Sequence, residues 1–333
     1  MKGYILLLLL AALLLLVIPL PAHRATLVPP AEPPPSLSEP PPTTDSSNDE
    51  PSVTEGVFKI LCGNEVVTLS EREFLIRTLA AEMSPTYHSE ALKAQAVAAY
   101  TYYGRRRTAQ EATPDEALQG AHFVTGNERF PADYTTEALQ KRWGKQYQAN
   151  YEKLCAAVDA VLGRAMTYED TYIDACYFSI SNGCTESAKT VWGTDIPYLQ
   201  AVASPGDRLA PGFQSTVTLT AEQVRTAMST ADPAVTLPED PATWFGTPTL
   251  SEAGTVISIP VGDTALPGTQ IRTLMGLRSA TFTVDYADGN FTFTVCGYGH
   301  GVGMSQYGAD YLARQGYTWE EILHYYYTGV TII

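Results

Sequence analysis

Positive charge is scarce in this 333-residue chain, which has 21 lysines and arginines against 36 acidic residues and a formal net charge of −15. This balance argues against nucleic acid as a partner, because a polyanion would be repelled. A neutral polysaccharide remains compatible with it. The 20 tyrosines fit sugar-facing grooves, although an ordinary half-buried sheet explains them equally well.

Several familiar motifs are missing. The five cysteines form no C-x-x-C and the five histidines no His-x-x-x-His, so no structural zinc is signalled. Their odd number leaves at least one thiol outside any intramolecular disulfide, with Cys176 and Cys184 the nearest pair. Neither a dinucleotide-binding G-x-G-x-x-G nor a correctly spaced nucleophile elbow occurs.

The only long apolar run is at the N-terminus, from Tyr4 to Leu20. A helix of that length spans roughly 25 Å, close to a bilayer core. A cleaved signal peptide is the alternative, but no small-x-small site follows, which favours a single-pass anchor over residues 1–21 with Lys2 inside. Residues 22–54, rich in Pro, Ser and Thr, predict a disordered linker to a domain over residues 55–333.

Hydrophobic periodicity predicts an α+β domain, with helix-rich and strand-rich regions packed around one substrate groove. Strands are predicted at 56–61, 66–69, 165–168 and 172–180, and helices at 70–83, 89–103, 136–145, 147–162, 305–315 and 318–327. Ser70 and Glu73 form a capping-box pattern at the first helix. Alternating residues on both sides of Asp288-Gly289 predict a β-hairpin.

Glu82 is unusual because it falls on the same helical side as Leu75 and Leu79. A carboxyl in such a stripe would be desolvated and remain protonated near neutrality, as a general acid requires. The alternative is an ordinary glutamate that reaches water from a helix end. The pattern therefore makes Glu82 a candidate acid and base.

Two polar segments could also line a site. Gly297-Tyr-Gly-His-Gly-Val-Gly-Met-Ser-Gln-Tyr-Gly-Ala309 carries glycines at alternate positions around His300, with Ser305 and Gln306 at a helix start. A tight strand-to-helix connection explains it as well. The Ser181-Asn-Gly-Cys-Thr-Glu186 turn follows a predicted strand, and such turns usually serve geometry rather than binding.

Together these segments resemble the stage II sporulation protein D family. The resemblance rests on Ala80-Ala-Glu-Met83 with Glu90-Ala-Leu-Lys-Ala-Gln-Ala-Val-Ala98, on the Ser181–Glu186 turn with Trp192 and Pro197-Tyr-Leu199, and on the glycine-rich segment 297–309. It implies a lytic transglycosylase, which cleaves the bond between N-acetylmuramic acid and N-acetylglucosamine and closes a 1,6-anhydro ring. Since the sugar's own 6-hydroxyl attacks, one carboxyl, Glu82, is enough.

The resemblance also implies a setting and partners. The expected substrate is glycan stripped of stem peptides, at the mother-cell membrane facing the septal space during engulfment. Stage II sporulation proteins P and M are the expected partners. Tyr198 and Asp207 match motif positions that influence activity, so we expect them to line the groove. The full set of expected substrate contacts is Tyr100, Ser181, Asn182, Thr185, Tyr198, Asp207, His300, Ser305 and Gln306.

Some positions depart from the family pattern. Tyr100 and Gln200 stand where members often have basic residues, so attraction for lactyl carboxylates should be weaker. Relatives with zinc carry a cysteine pair after the alanine-rich helix, which this chain lacks, so we predict no metal and no cofactor. A site that combines His122 with a distant cysteine is the alternative. Two other functions stay open: an inactive glycan-binding scaffold, and a hydrolase pairing Ser305 or Cys184 with His300.

Overall fold

The computed structural model describes residues 56–124, 134–231 and 234–333. The predicted anchor and linker, residues 1–54, lie outside these residues. Within the described ranges no helix is both long and apolar enough to cross a membrane. The described part mixes helices with small sheets, which confirms the predicted α+β class.

The longest of the helices is α2, and four others pack against it. They are α1 (Glu71–Glu82), α2 (Ser89–Ala112), α3 (Thr136–Trp143), α4 (Tyr147–Asp159), α5 (Ala188–Trp192), α6 (Ala221–Met228), α7 (Gly268–Leu274), α8 (Gln306–Arg314) and α9 (Trp319–Tyr326). Helix α2 contacts α1, α4, α8 and α9. It therefore forms the axis of the helix-rich region.

The strands form several small sheets. They are β1 (Val57–Cys62), β2 (Glu65–Ser70), β3 (Phe123–Val124), β4 (Met166–Tyr168), β5 (Thr171–Tyr172), β6 (Tyr177–Phe178), β7 (Gln214–Thr220), β8 (Thr249–Leu250), β9 (Val256–Val261), β10 (Thr264–Pro267), β11 (Phe282–Ala287), β12 (Asn290–Cys296), β13 (Met304–Ser305) and β14 (Thr331–Ile332). Their orders are β2-β1-β3, β10-β9-β8, β11-β12-β7, β13-β6 and β14-β4-β5.

The helix-rich and strand-rich regions that the sequence predicts each have a hydrophobic core of their own. The first includes Phe74, Leu79 and Leu92 and is closed by the C-terminal helices. The second lies within residues 224–295, around Trp244 and Phe293. Because each core is continuous, loops between the regions can carry polar groups without interrupting either core.

Ser70 caps helix α1 as the sequence predicts, but the returning half of the predicted capping box, from the Glu73 side chain, is not formed. The Ser70 hydroxyl accepts the Glu73 amide N–H at 3.2 Å, while the Glu73 carboxylate pairs with Arg77 at 2.7 Å. The helix ends at Glu82, because Met83 turns to extended backbone just before Ser84-Pro85. This stop leaves Glu82 at the helix terminus.

Helix α2 is longer than predicted, since it continues beyond Tyr103 to Ala112. The arginine, glutamine and alanine residues there favour helix even where the hydrophobic pattern fades. Gly104 allows close packing, because a Cβ at this position would come within 3.1 Å of the Tyr172 ring. The extension carries the helix past the first core into solvent.

The predicted hairpin is confirmed. Strands β11 and β12 pair antiparallel across Asp288 and Gly289, whose φ angles of 50° and 78° are those of a type I′ turn. Strand β7 adds to the other edge of β12.

The predicted strand over 172–180 is wrong as a single element. It divides into β5 and β6, because each part finds a different partner: β5 pairs with β4, and β6 pairs in parallel with β13. Between them the Asp174 amide N–H donates to the Tyr198 hydroxyl instead of to a neighbouring strand. The β6–β13 pairing places Tyr177 beside the glycine-rich segment.

Candidate functional site

Glu82 is the exposed last residue of α1. The expectation of a carboxyl hidden in an apolar stripe is therefore wrong. Leu75 and Leu79 on the same side are buried, but the helix stops at Glu82 and the following Met83 takes the buried position instead. A side chain at a helix end can turn to solvent. The exposure of Glu82 therefore agrees with the alternative prediction, an ordinary glutamate that reaches water from a helix end.

Gln306 lies against this carboxylate. Its Nε2 atom is 3.5 Å from Oε2 of Glu82 and 3.4 Å from Oε1 of Gln95. Gln306 is the first residue of α8, directly after the N-cap Ser305, and is only 4% exposed. The end of α1, the N-terminal third of α2 and the start of α8 therefore converge at one point.

Two tyrosines lie within electrostatic range of Glu82. Burial raises the pKa of Tyr103 and of Tyr177, and the negative charge of Glu82 raises both further. Both phenols therefore stay protonated and can donate hydrogen bonds. Tyr103 is held by an edge contact with the Phe74 ring at 4.9 Å.

Gln95, Tyr103 and Tyr177 were not among the site residues predicted from the sequence. Gln95 offered a signal, since it is a lone amide within a run of alanines. Tyr177 offered none, because its two-residue strand is too short to show periodicity.

Asp207, Ser181 and Ser305 do come together, but below the surface. Asp207 is fully buried, so it does not line a groove as expected. Its Oδ2 accepts the Ser181 amide N–H at 2.8 Å and the Ser181 hydroxyl, while Oδ1 accepts the Ser305 hydroxyl at 2.8 Å. Burial raises the pKa of the Asp207 carboxyl, and these hydrogen bonds oppose the rise. Since Ser305 directly precedes Gln306, these buried hydrogen bonds fix the backbone beside the residue that contacts Glu82.

Three other expected substrate contacts, Asn182, Thr185 and Tyr198, instead bond to the backbone. Asn182 donates to the Ala253 carbonyl at 3.0 Å, and the Thr185 hydroxyl accepts the Val202 amide N–H at 2.8 Å. Tyr198, 9% exposed, accepts the Asp174 amide N–H, so it too is not positioned to line a groove.

Tyr100 lies apart from Glu82. Its hydroxyl donates to Glu71 Oε1 at 3.1 Å, and Glu71 is the first residue of α1 whereas Glu82 is the last. The structure therefore does not bring Tyr100 together with the candidate catalytic carboxylate.

His300 sits between two aromatic rings, at 5.6 Å from Phe178 and 5.4 Å from Trp192. Its Nδ1 accepts the Val302 amide N–H at 3.1 Å, and the ring also hydrogen-bonds the Tyr177 backbone. Burial, assisted by the Arg272 charge, lowers the pKa of His300 to about 4, so the imidazole is neutral at pH 7.

The structure does not form the nucleophile and base pair that the hydrolase hypothesis requires, Ser305 or Cys184 with His300. The Ser305 hydroxyl is engaged with Asp207 and caps α8 by accepting the Gly308 amide N–H at 3.1 Å, while His300 is bonded to the backbone. Burial raises the pKa of the Cys184 thiol, which disfavours a thiolate nucleophile. Cys184 and Cys176 remain thiols and are not joined.

The glycines bring this segment close to β6. Gly303 has a φ of +80°, and a Cβ there would lie 2.0 Å from the Cys176 carbonyl oxygen. Gly299 has a φ of +119°, and its Cβ would lie 2.6 Å from Cβ of Phe178. Only glycine permits both the conformation and the approach.

Metal-ligating side chains are dispersed. In the part of the chain that the structure describes, no group of three or more His, Cys, Asp or Glu residues is arranged to hold a metal ion. The Nδ1 atom of His122 accepts the Lys59 amide N–H at 3.2 Å, and its Nε2 lies 3.8 Å from Glu111. Burial lowers the pKa of His122.

Comparison with known proteins places these residues in a family context. The family model described as "Stage II sporulation protein" matches residues 63–168, which include Glu82, Gln95 and Tyr103. Stage II sporulation protein D of Bacillus subtilis is 36% identical over 261 residues, which cover 78% of this chain and 73% of that protein.

Two further relatives extend the comparison. The protein of the same name from Bacillus amyloliquefaciens is 35% identical over 288 residues, covering 85% of this chain and 81% of its own length. The B. subtilis protein named "Amidase enhancer" is 26% identical over 302 residues, covering 75% of this chain but only 39% of its own length.

Proposed function

Because the chain belongs to the stage II sporulation protein D family, we propose that it is a peptidoglycan lytic transglycosylase with Glu82 as its acid and base. Family membership assigns the chain to sporulation and relates it to the cell wall. The observation that carries the proposal is a solvent-accessible carboxylate at the junction of three helices, in contact with the Gln306 amide and close enough to Tyr103 and Tyr177 to act on both phenols electrostatically.

In this reaction, protonated Glu82 gives its proton to the glycosidic oxygen as the bond to C1 of the muramoyl sugar breaks. The leaving N-acetylglucosamine thereby regains its 4-hydroxyl. The muramoyl 6-hydroxyl then attacks C1, and Glu82 takes the proton that this hydroxyl loses. No water is consumed, and the carboxyl ends in the state in which it began.

Exposure of Glu82 fits an open site before the substrate binds. A glycan strand laid over the carboxyl would displace water and favour its neutral form, which supplies the acid at the moment of bond cleavage. The Gln306 amide and the phenols of Tyr103 and Tyr177 can then stabilise the carboxylate after it has given up its proton.

The location and partners belong to the same proposal. Residues 1–21 would anchor the chain in the mother-cell membrane, with the domain facing the septal space during engulfment. Its substrate would be glycan stripped of stem peptides, in an assembly with stage II sporulation proteins P and M. The net charge of −15 supports a substrate other than nucleic acid.

A second candidate is a glycan-binding scaffold without catalytic activity. It is favoured by the exposure of Glu82 and by a relative named as an amidase enhancer. Such a protein would bind glycan strands and stimulate an amidase without cutting the strands itself.

Mass spectrometry of digested glycan distinguishes the two functions. Full-length protein in detergent is incubated with peptide-stripped glycan strands, and the new ends are analysed. Anhydro-muramoyl ends support the transglycosylase, hydrated reducing ends indicate a hydrolase, and intact strands that co-sediment with the protein indicate the scaffold. Glu82→Gln should abolish the anhydro ends, whereas Glu222→Gln, at an exposed position on α6, should leave them unchanged.

A further inference from the structure

Gln95 is a fully buried polar residue in the N-terminal third of α2, among apolar neighbours such as Ala94 and Val97. Its Oε1 faces the Nε2 of Gln306 at 3.4 Å, and its own Nε2 is buried and has no hydrogen-bond partner among residues 56–124, 134–231 and 234–333. Such an arrangement lowers the stability of the folded state. Unpartnered buried groups in native proteins mark places where another requirement outweighs stability.

The Gln306 amide has a defined orientation for an electrostatic reason. Its NH2 group carries two N–H donors, and the two nearest side-chain acceptors are Glu82 Oε2 and Gln95 Oε1. If the amide were flipped, its carbonyl oxygen would face both of these oxygens and be repelled. Gln95 therefore ensures that Gln306 presents a donor to Glu82.

Both contacts are long, at 3.5 and 3.4 Å. Hydrogen bonds to catalytic groups are often long before substrate binds and shorten in the complex. The backbone beneath Gln306 is fixed, because Ser305 caps α8 and is bonded to the buried Asp207. Only side-chain adjustment is then needed to tighten the contact with Glu82.

We propose that Gln95 and Gln306 act as an amide pair that positions the Glu82 carboxylate, Gln306 by direct contact and Gln95 by holding the Gln306 amide in its donating orientation. The proposal rests on the function proposed for Glu82. It makes Gln95 a positioning residue that touches no substrate.

The Gln95→Leu substitution separates positioning from a structural role. Leucine has a similar size and removes both the Oε1 that holds Gln306 and the unpartnered Nε2. Positioning predicts that kcat for anhydro-muramoyl product falls about ten-fold or more with KM within two-fold, while the melting temperature is unchanged or higher. A purely structural role predicts a lower melting temperature, with loss of activity in proportion.

Ser215→Ala is the matched control. Ser215 Oγ, in the strand-rich region, is the other buried side-chain atom without a partner among the described residues. Removing the Ser215 hydroxyl should leave the melting temperature unchanged or raise it, as Gln95→Leu does, and should not change kcat. If Gln95→Leu fails to fold, Gln306→Met tests the same contact from the other partner.

A second measurement does not depend on turnover. The carboxyl ¹³C signal of Glu82, in full-length protein labelled at glutamate and identified by its loss in Glu82→Gln, is followed against pH. Removing a donor disfavours the charged carboxylate, so Gln95→Leu and Gln306→Met should each move the midpoint upward by roughly 0.5 to 1 pH unit. Ser215→Ala should not move it.

The outcomes are separable. Unchanged midpoints and kcat in both glutamine variants would overturn the positioning proposal. If the wild-type protein releases no anhydro ends, the proposed activity fails, while the titration still decides whether the amide pair acts on Glu82.

Discussion

Ser305 donates a hydrogen bond to Asp207 at 2.8 Å, and it does so one residue before Gln306 meets Glu82. The same hydroxyl accepts the Gly308 amide N–H and so caps α8. A fully buried carboxylate is thus tied to the start of the helix that supplies a contact to the candidate catalytic residue. Disturbing Asp207 should therefore affect the site without touching it.

Asp207→Asn is expected to destabilise the protein and reduce activity. The new NH2 group cannot accept from Ser181 or Ser305, so at least one buried donor loses its partner, at a cost of about 1–3 kcal/mol near neutral pH. Urea unfolding gives the loss of stability, and the glycan digest gives the loss of activity. Asp263→Asn, at an exposed position in the strand-rich region, is the control. Its effects on stability and on activity should both be much smaller than those of Asp207→Asn.

The pH dependence of this variant has a definite sign. Because the folded state raises the pKa of Asp207 above 3.8, the folded protein binds more protons than the unfolded chain just above that pH. The stability advantage of wild type over Asp207→Asn should therefore be greatest in acid and decrease as the pH rises from about 4. An advantage that grows with pH in this range would contradict the assignment.

Local sequence signals predicted the parts of the fold that local physics determines. The Ser70 cap and the Asp288-Gly289 turn depend on neighbouring residues, so their elements were located correctly. The pairing of β6 with β13 depends on strands that are distant in sequence, and the predicted strand over 172–180 was wrong for that reason. Glu82 was singled out by a helical pattern, but helix termination at Met83, rather than periodicity, decides its exposure.

His300 should make stability fall in acid. Its folded pKa of about 4 lies below the ordinary 6.5, so the unfolded chain binds more protons between these values. Its contribution is complete above pH 6.5 and is lost as the pH falls toward 4, by about 1–3 kcal/mol. Urea unfolding of wild type and His300→Gln between pH 4 and 7 tests this: the variant should show a shallower fall. Equal slopes would mean that the imidazole titrates normally.

Trp192 is expected to contact the glycan if the proposed function holds. Its indole is 45% exposed and is supported by the His300 ring, which itself hydrogen-bonds the Tyr177 backbone near Glu82. Flat exposed aromatic rings stack on sugar faces, so Trp192→Ala should raise KM about ten-fold and change kcat little. Trp192→Phe should retain most of the binding, and Ile257→Ala, 44% exposed on β9, should have no effect. Equal KM values for Trp192→Ala and wild type would exclude a role in binding.

Two glycines provide the last test, because they share a backbone conformation but differ in surroundings. Gly303 and Gly276 have φ angles of +80° and +66°, yet a Cβ on Gly303 would collide with the Cys176 carbonyl, while a Cβ on Gly276 meets nothing within 4 Å. Gly276→Ala should cost about 1 kcal/mol from backbone strain alone. Gly303→Ala adds the collision and must separate β13 from β6, so we expect a loss of more than 3 kcal/mol, measured by thermal unfolding. Similar losses in the two variants would mean that the close approach of the glycine-rich segment to β6 does not hold in solution.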